Sequence, residues 1–350
     1  MARPVRLRAV ATAAPPHVLL QRDVAAVAKD LFGPRYEAFE RLSRVFGTAG
    51  IVKRHSIQPM EWFAEPRGWP ARTAAYLEGA VTLFISAANA ALEAAGLNAR
   101  DIDTVVTVSS TGIATPSLEA RAAEAMGFRG DIQRVPVFGL GCAGGVSGLA
   151  IAARLAKANP GSKVLLVVVE LCTLAFRLDQ LTKANIVATA LFGDGAAACV
   201  LSAGGDGPAE VEASGEHLWP NTLDIMGWDV DPQGFGVVFA QAIPPFVEEH
   251  LRPAVQGILG RAGFEIADVD RFVCHPGGVK VIQALERALA LGQGSLDHER
   301  QVLAEYGNMS APTVLFVLER VLHEGLPQRS ALAALGPGFS ASCAVLKAAA

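Results

Sequence analysis

Short runs of β-branched residues alternate with longer Ala/Leu-rich stretches along the whole chain. VVTVSS (105–110), VLLVVVE (164–170) and FVCH (272–275) are continuous apolar runs too short for helices, as expected of strands buried on both faces. ISAANAALEAAG (85–96), VSGLAIAARLAKA (146–158) and VKVIQALERALAL (279–291) place their apolar residues at helical spacing. This alternation predicts an α/β protein whose sheets are covered by helices.

The pattern also repeats. AGLNARDIDTVV (95–106) and AGFEIADVDRFV (262–273) align without a gap, 167 residues apart, with five of twelve positions identical. GCAGGVSGLAIAARL (141–155) and GNMSAPTVLFVLERV (307–321) correspond at an offset of 166, GDGAAACVL (193–201) and GFSASCAVL (338–346) at 145. Three correspondences in one order predict a duplicated chain. Its halves, 1–208 and 209–350, meet in the Gly- and Pro-punctuated stretch from Gly204 to Ala213. Duplication places Cys142 and Asn308 at equivalent points, each after a glycine and just before a helix. Pseudo-twofold packing would bring those two helix starts together near the middle of the molecule.

Composition narrows the class. Of 350 residues, 51% are hydrophobic and only 18% charged, which excludes a disordered chain and implies a large core. A net charge of −4 without a long basic run argues against a nucleic-acid partner. The longest apolar run, Val164 to Val169, stops at Glu170, so no stable membrane insertion is expected. The N-terminal stretch is broken by Pro15, Pro16 and His17 and is not expected to act as a secretory signal. Five widely spaced cysteines without a CxxC pair suggest neither a disulfide frame nor a zinc site, and point to a reduced, cytoplasmic protein.

Chemistry concentrates at three positions. Cys142, in FGLGCAGGVSGLA, sits where glycines allow a tight strand-to-helix elbow, and a thiol at a helix N-terminus has its thiolate favoured. Cys172 is a candidate pocket wall. Among seven histidines, His275 ends an apolar strand at a Pro-Gly-Gly break, while His298 and His323 lie in charged helical segments and are expected to be solvated. A histidine beside the thiol would hold a thiolate–imidazolium pair. Asn308 in EYGNMSAPT offers an amide that donates without titrating; alone, it would suit a helix N-cap equally well. A Cys–His–Asn set is also the cysteine-protease combination, but that reading leaves the duplication unexplained.

Around these residues the sequence resembles the thiolase-fold condensing enzymes, specifically the type III polyketide synthases related to chalcone synthase. The resemblance runs through ATAAPPHVLLQRDV, GCAGG at Cys142, LFGDGAAA (191–198), HPGG after His275, GNMSAPTVLFVLE and GPGF (336–339). It implies a thiolase-like fold of two βαβ-type halves in an αβαβα layering, and a homodimer. It also implies that Cys142 accepts the starter acyl group, that His275 keeps it ionised, and that His275 and Asn308 stabilise the enolate left when malonyl-CoA loses carbon dioxide. Removing one such donor typically costs about 10²–10³ in rate. Acyl-CoA and malonyl-CoA would be the substrates, with no metal or redox cofactor required.

By the same resemblance Phe192 and Phe239 are gatekeepers between the cavity and the CoA tunnel. Ser110, Thr111, Ala175 and Ser310 would line the cavity, bounded by the loop Gly336, Pro337, Gly338 and Phe339. Arg41 and Arg44 match two CoA-phosphate positions on one helix face. The third is Thr48, a departure that leaves Lys53 or Arg54 to compensate. Thr115 replaces a methionine that in plant enzymes reaches into the partner's cavity. KRHSIQPMEWF (53–63) and DIMGWDVDPQGFGVVFAQAIP (224–244) resemble bacterial members making alkylpyrones and alkylresorcinols, and Ala175 would leave room for an aliphatic tail. The expected reaction is iterative condensation on a long-chain fatty acyl-CoA, closed to a pyrone or resorcinol. The alternatives are a single-condensation ketoacyl synthase and a type III synthase using aromatic or short starters.

Overall fold

The computed structural model describes residues 3–240 and 242–349. Its strands are β1 (Val5–Ala13), β2 (His17–Leu20), β3 (Lys53–Ser56), β4 (Thr104–Val108), β5 (Gln133–Val137), β6 (Lys163–Leu171), β7 (Asp194–Ala203), β8 (Ala209–Leu218), β9 (Met226–Asp231), β10 (Gly234–Phe239), β11 (Arg271–Cys274), β12 (Arg329–Gly336) and β13 (Ser340–Ala348). The helices are α1 (Gln21–Phe32), α2 (Phe39–Leu42), α3 (Arg44–Thr48), α4 (Trp69–Ala94), α5 (Leu118–Met126), α6 (Gly144–Ala158), α7 (Lys183–Leu191), α8 (Ile243–Gly260), α9 (Val279–Ala288), α10 (Asp297–Tyr306) and α11 (Thr313–Glu324). Nine strands form one sheet in the order β11-β12-β13-β8-β1-β7-β6-β4-β5.

The duplication is written into that order. β4 pairs parallel with β6, and β11 parallel with β12; β6–β7 and β12–β13 are antiparallel, as are β7–β1 and β13–β8. The half-sheets meet where β1 pairs β8 at Arg6↔Glu210 and Leu7↔Ala209. The repeated segment AGxxxxDxDxxV folds identically twice. Asp101 and Asp268 each accept the backbone N–H three residues earlier at 2.8 Å, closing a short capping box. Asp103 and Asp270 each accept the N–H that opens the next parallel strand, from Lys163 and Arg329, both at 2.8 Å. Both aspartates persist in both copies because each satisfies a main-chain donor at a strand entrance.

Five layers result. β6 shows why: Val164, Leu166 and Val168 point into a central apolar cluster, while Leu165, Val167, Val169 and Leu171 point into the cluster under α4. β12 divides the same way, with Leu332 and Ala334 central and Ala331, Ala333 and Leu335 facing α8 and α9. Both faces are therefore apolar, and the strands read as unbroken hydrophobic runs. The central layer is α6 and α11, one from each half. α6 packs on β12 and β13 of the other half as well as on β4, β6 and β7, and α11 packs on β1 and β7. The αβαβα layering is present, with the two sheet layers joined edge to edge through β1 and β8.

α4 spans 26 residues and, by length and composition alone, is apolar enough to cross a membrane, as a buried core helix also can be. Arg72, Glu78 and Glu93 interrupt it too sparsely to lower its mean hydropathy much. Its Ala- and Gly-rich face, including Gly79, Ala80, Phe84, Ala87, Ala88 and Ala91, is buried on the sheet.

Candidate active site

Cys142 is carried by a single tight turn, Gly141–Ala143, that runs straight into α6. Gly141 has φ +47°, and a Cβ there would lie 2.6 Å from Pro337 Cδ, so only glycine fits the elbow. The Ser110 hydroxyl accepts from Gly139 N–H at 3.1 Å and Gly141 N–H at 3.4 Å, steadying the turn. The two equivalent helix starts do meet: a Cβ on Gly145 would stand 2.3 Å from the Ala311 carbonyl oxygen.

His275 follows β11 directly, its N–H bonded to Ala333 O at 2.9 Å. Asn308 follows Gly307 (φ +69°), where a Cβ would lie 2.7 Å from Leu191 O. Asn308 N–H donates to Leu191 O at 2.8 Å and its carbonyl accepts from Gly193 N–H at 3.0 Å, zipping this loop to the one carrying Phe192. The side chain is held at both ends: Oδ1 accepts from Ser310 N–H at 2.8 Å, and Nδ2 donates to Gly277 O at 3.2 Å. Among the described residues the second Nδ2 hydrogen has no partner. Cys142, His275 and Asn308 line one chamber together with Gly277, Met226 and Phe239. Among the described residues, neither ring nitrogen of His275 has a partner.

Burial dominates the electrostatics. It pushes the Cys142 thiol up to about 11 and His275 down to about 4. Each group alone therefore favours its neutral form, and the expected ion pair must come from the attraction the two gain when the proton moves between them. Glu170, missed by sequence reasoning, is fully buried near this thiol and pushed up to about 8 by desolvation. It accepts from Ser110 N–H at 3.0 Å and Thr111 Oγ1 at 2.7 Å.

A second chamber shares Cys142, Met226 and Phe239 and adds Ser110, Thr111, Cys172, Phe192, Trp228, Val237, Val238, Ser310 and Pro337. The β9–β10 hairpin roofs it. Trp228 Nε1 donates to Ser110 O at 2.8 Å, and Arg177 holds Asp231 at the hairpin turn with two 3.0 Å bonds. The alternation around Asp231-Pro232-Gln233-Gly234 was the available sequence signal for this hairpin. Beyond Cys172 and Phe192 opens an apolar pocket lined by Leu19, Val24, Val27, Leu31, Met60, Phe63 and Phe176. On the other side, beyond Phe239 and Gly277, a larger channel runs outward past Leu191, Ala240 and Val279, with Arg41, Lys183 and Lys280 on its walls.

Several expected positions lie elsewhere. Phe239 borders both chambers and the outer channel, the place expected of it, whereas Phe192 stands between the reaction chamber and the apolar pocket. Arg41 and Arg44 lie on two short helices, α2 and α3, joined at Ser43, and only Arg41 lines the channel. Lys183 and Lys280 are the cations sequence reasoning missed there. Arg54 cannot compensate at the mouth, being 2% exposed and buried under Phe192. Ala175 is buried but borders neither chamber; Cys172 and Thr173, on the same turn, face the pocket. Of the 336–339 loop only Pro337 lines a chamber. Gly336 packs on the Cys142 turn, Gly338 (φ +121°) on Leu218, and Phe339 stacks on Trp219 in the core. His298 is buried, with Nε2 3.0 Å from Glu324.

A thiol at a helix start, sharing a chamber with a histidine and an amide between the halves of a duplicated α/β fold, is the arrangement a thiolase-type condensing centre requires. Family models extend the definition: residues 3–205 match the N-terminal domain of chalcone and stilbene synthases and 210–348 the C-terminal domain, so the chain belongs to that family, the type III polyketide synthases. It is 40% identical to the 1,3,6,8-tetrahydroxynaphthalene synthase of Streptomyces peucetius subsp. caesius, over 99% of this chain and 93% of that one. The alpha-pyrone synthesis polyketide synthase-like Pks18 of Mycobacterium tuberculosis is 29% identical over 95% of this chain and 88% of its own. The crystal structure of 1,3,6,8-tetrahydroxynaphthalene synthase from Streptomyces coelicolor A3(2) superposes with a TM-score of 0.93 at 30% identity, covering 99% of both chains.

Proposed function

We propose that this malonyl-CoA-condensing enzyme extends a fatty acyl-CoA starter repeatedly and closes the product to an alkylpyrone or alkylresorcinol. The Cys142 sulfur attacks the acyl carbonyl as its proton passes to His275. The carbon–sulfur bond to CoA breaks, and the departing CoA thiolate takes that proton. Malonyl-CoA then enters by the outer channel and loses carbon dioxide. The electron pair of the broken carbon–carbon bond becomes an enolate, whose oxygen accepts from His275 and from the free Asn308 N–H. The enolate carbon attacks the Cys142 thioester, the thiolate leaves, and the lengthened CoA ester can reload Cys142. Arg41, Lys183 and Lys280 supply cations for the CoA phosphates.

The observation that carries the starter assignment is the apolar pocket behind Cys172 and Phe192. A hydrocarbon tail there gains about 0.8 kcal/mol per buried methylene, so pocket length selects chain length. A tail-free starter is the second reading, favoured by the 40% identity to an enzyme named for tetrahydroxynaphthalene, a product without an alkyl chain. Mass spectrometry of products from labelled malonyl-CoA with acyl-CoA starters of increasing length decides between them. Cyclic products retaining a long alkyl chain are expected. Turnover only without starter, or only with short ones, supports the second reading, and a linear β-ketoacyl product would overturn iterative extension.

A further inference from the structure

We propose that Arg54 is a positioning residue for the condensation: it clasps the segment carrying Phe192 to the segment carrying Asn308. This rests on the condensing role given above to Asn308.

Arg54 lies on β3, far from the catalytic residues in sequence, yet its Nη1 donates to the Phe192 carbonyl at 3.0 Å. Its stem packs where two glycines leave room: a Cβ on Gly193 would be 3.3 Å from Arg54 Cβ, and one on Gly307 3.4 Å from Arg54 Cβ and 3.6 Å from Cδ. Those glycines immediately follow Phe192 and precede Asn308. The same stretch of chain is fastened a second time, since Ile57 N–H donates to Asp194 Oδ2 at 2.8 Å. Asp194 also accepts from Thr173 N–H at 2.7 Å and Oγ1 at 2.6 Å, which ties in the turn beside Cys172. Residues 54–57 thus gather three walls of the reaction chamber.

Packing alone does not account for an arginine here. Among the described residues its Nε and Nη2 are buried without a partner, an arrangement a methionine of similar reach would avoid. Burial lowers its pKa to about 10 while nearby Asp194 raises it, so it is a cation at neutral pH. What the arginine adds is a rigid, directed donor on the Phe192 carbonyl.

The test compares wild type, Arg54→Met and Arg54→Lys by carbon dioxide release from malonyl-CoA, by the rate of Cys142 alkylation with iodoacetamide, and by thermal unfolding. Misplacing Asn308 by a fraction of an ångström lowers the decarboxylation kcat of Arg54→Met tenfold or more, up to about 100-fold. KM for malonyl-CoA and the alkylation rate stay within about twofold, because neither the channel cations nor the Cys142 turn touches Arg54. Arg54→Lys keeps the cation and one donor and recovers part of the lost kcat. A variant with wild-type kcat and only a lowered Tm overturns the proposal, as does a parallel fall of kcat and alkylation. Should Arg54→Met not fold, a natively stable Arg54→Lys with unchanged kcat overturns it equally, and one with reduced kcat supports it. Wild-type protein that releases no carbon dioxide from malonyl-CoA would instead overturn the condensing role itself.

Discussion

Cys142 must be both sheltered from water and ionisable, and its surroundings pull in both directions. Burial holds the lone thiol near 11, so at pH 7 about one molecule in 10⁴ would carry a thiolate. His275, lowered to about 4, is neutral at that pH and free to take the proton. Removing it leaves only the burial effect. For His275→Ala we expect alkylation of Cys142 at pH 7 to fall at least tenfold, and its rate to climb about tenfold per pH unit from 7 to 9, as for any thiol titrating far above. The wild type should react faster at pH 7 and depend less steeply on pH. Equal rates at pH 7, read from iodoacetamide kinetics, would mean that His275 does not share the proton. Glu170 adds a limit from the alkaline side, since ionising it above about 8 sets a negative charge against the thiolate.

That Cys142, His275 and Asn308 would share a chamber was legible because each sits in a local glycine motif that needs only its neighbours. Arg54 and Glu170 were not. Arg54 acquires its role from Phe192, 138 positions away, and Glu170 from Ser110, 60 away. Nothing in KRHS or VVVE distinguishes a buried charge from a solvated one until the tertiary partners close over it.

At the scale of elements, the end of β12 acts as a strut rather than a wall. A Cβ on Gly336 would fall 2.6 Å from Ala143 Cβ and from Leu140 O, both in the stretch that presents Cys142. Gly336→Ala should therefore destabilise the fold by about 1–3 kcal/mol in urea unfolding and displace the nucleophile, lowering condensation more than CoA binding. Full stability together with full activity would show that the strut has slack. Strands and the central helices could be read from period and repeat. The junction at Ser43 could not, because α2 and α3, of four and five residues, are too short to set up a helical period. The roof hairpin went unread for the opposite reason: its alternating pattern was present, but only the chamber beneath explains why it stays attached.

For the whole molecule, the sheet ends at β5, whose outer edge has no partner among the described residues. Phe138, just after it, is 57% exposed and Ile113 beside it 56%. An open edge flanked by apolar side chains invites pairing with another chain. We propose that a second copy covers it. Light scattering should give twice the 36.5 kDa chain mass for the wild type and a monomer for Phe138→Glu; a monomeric wild type would refute the pairing.

The exchange of helices across the central layer has one more consequence. α6 closes the inner wall of the opposite half-sheet, and α11 returns the cover. Cut in the turn between β7 and β8, each piece would keep its outer helices but face water with a bare apolar wall. The two lengths of chain are then bound to each other as the subunits of an obligate heterodimer are, one gene's product behaving as two polypeptides that must co-fold.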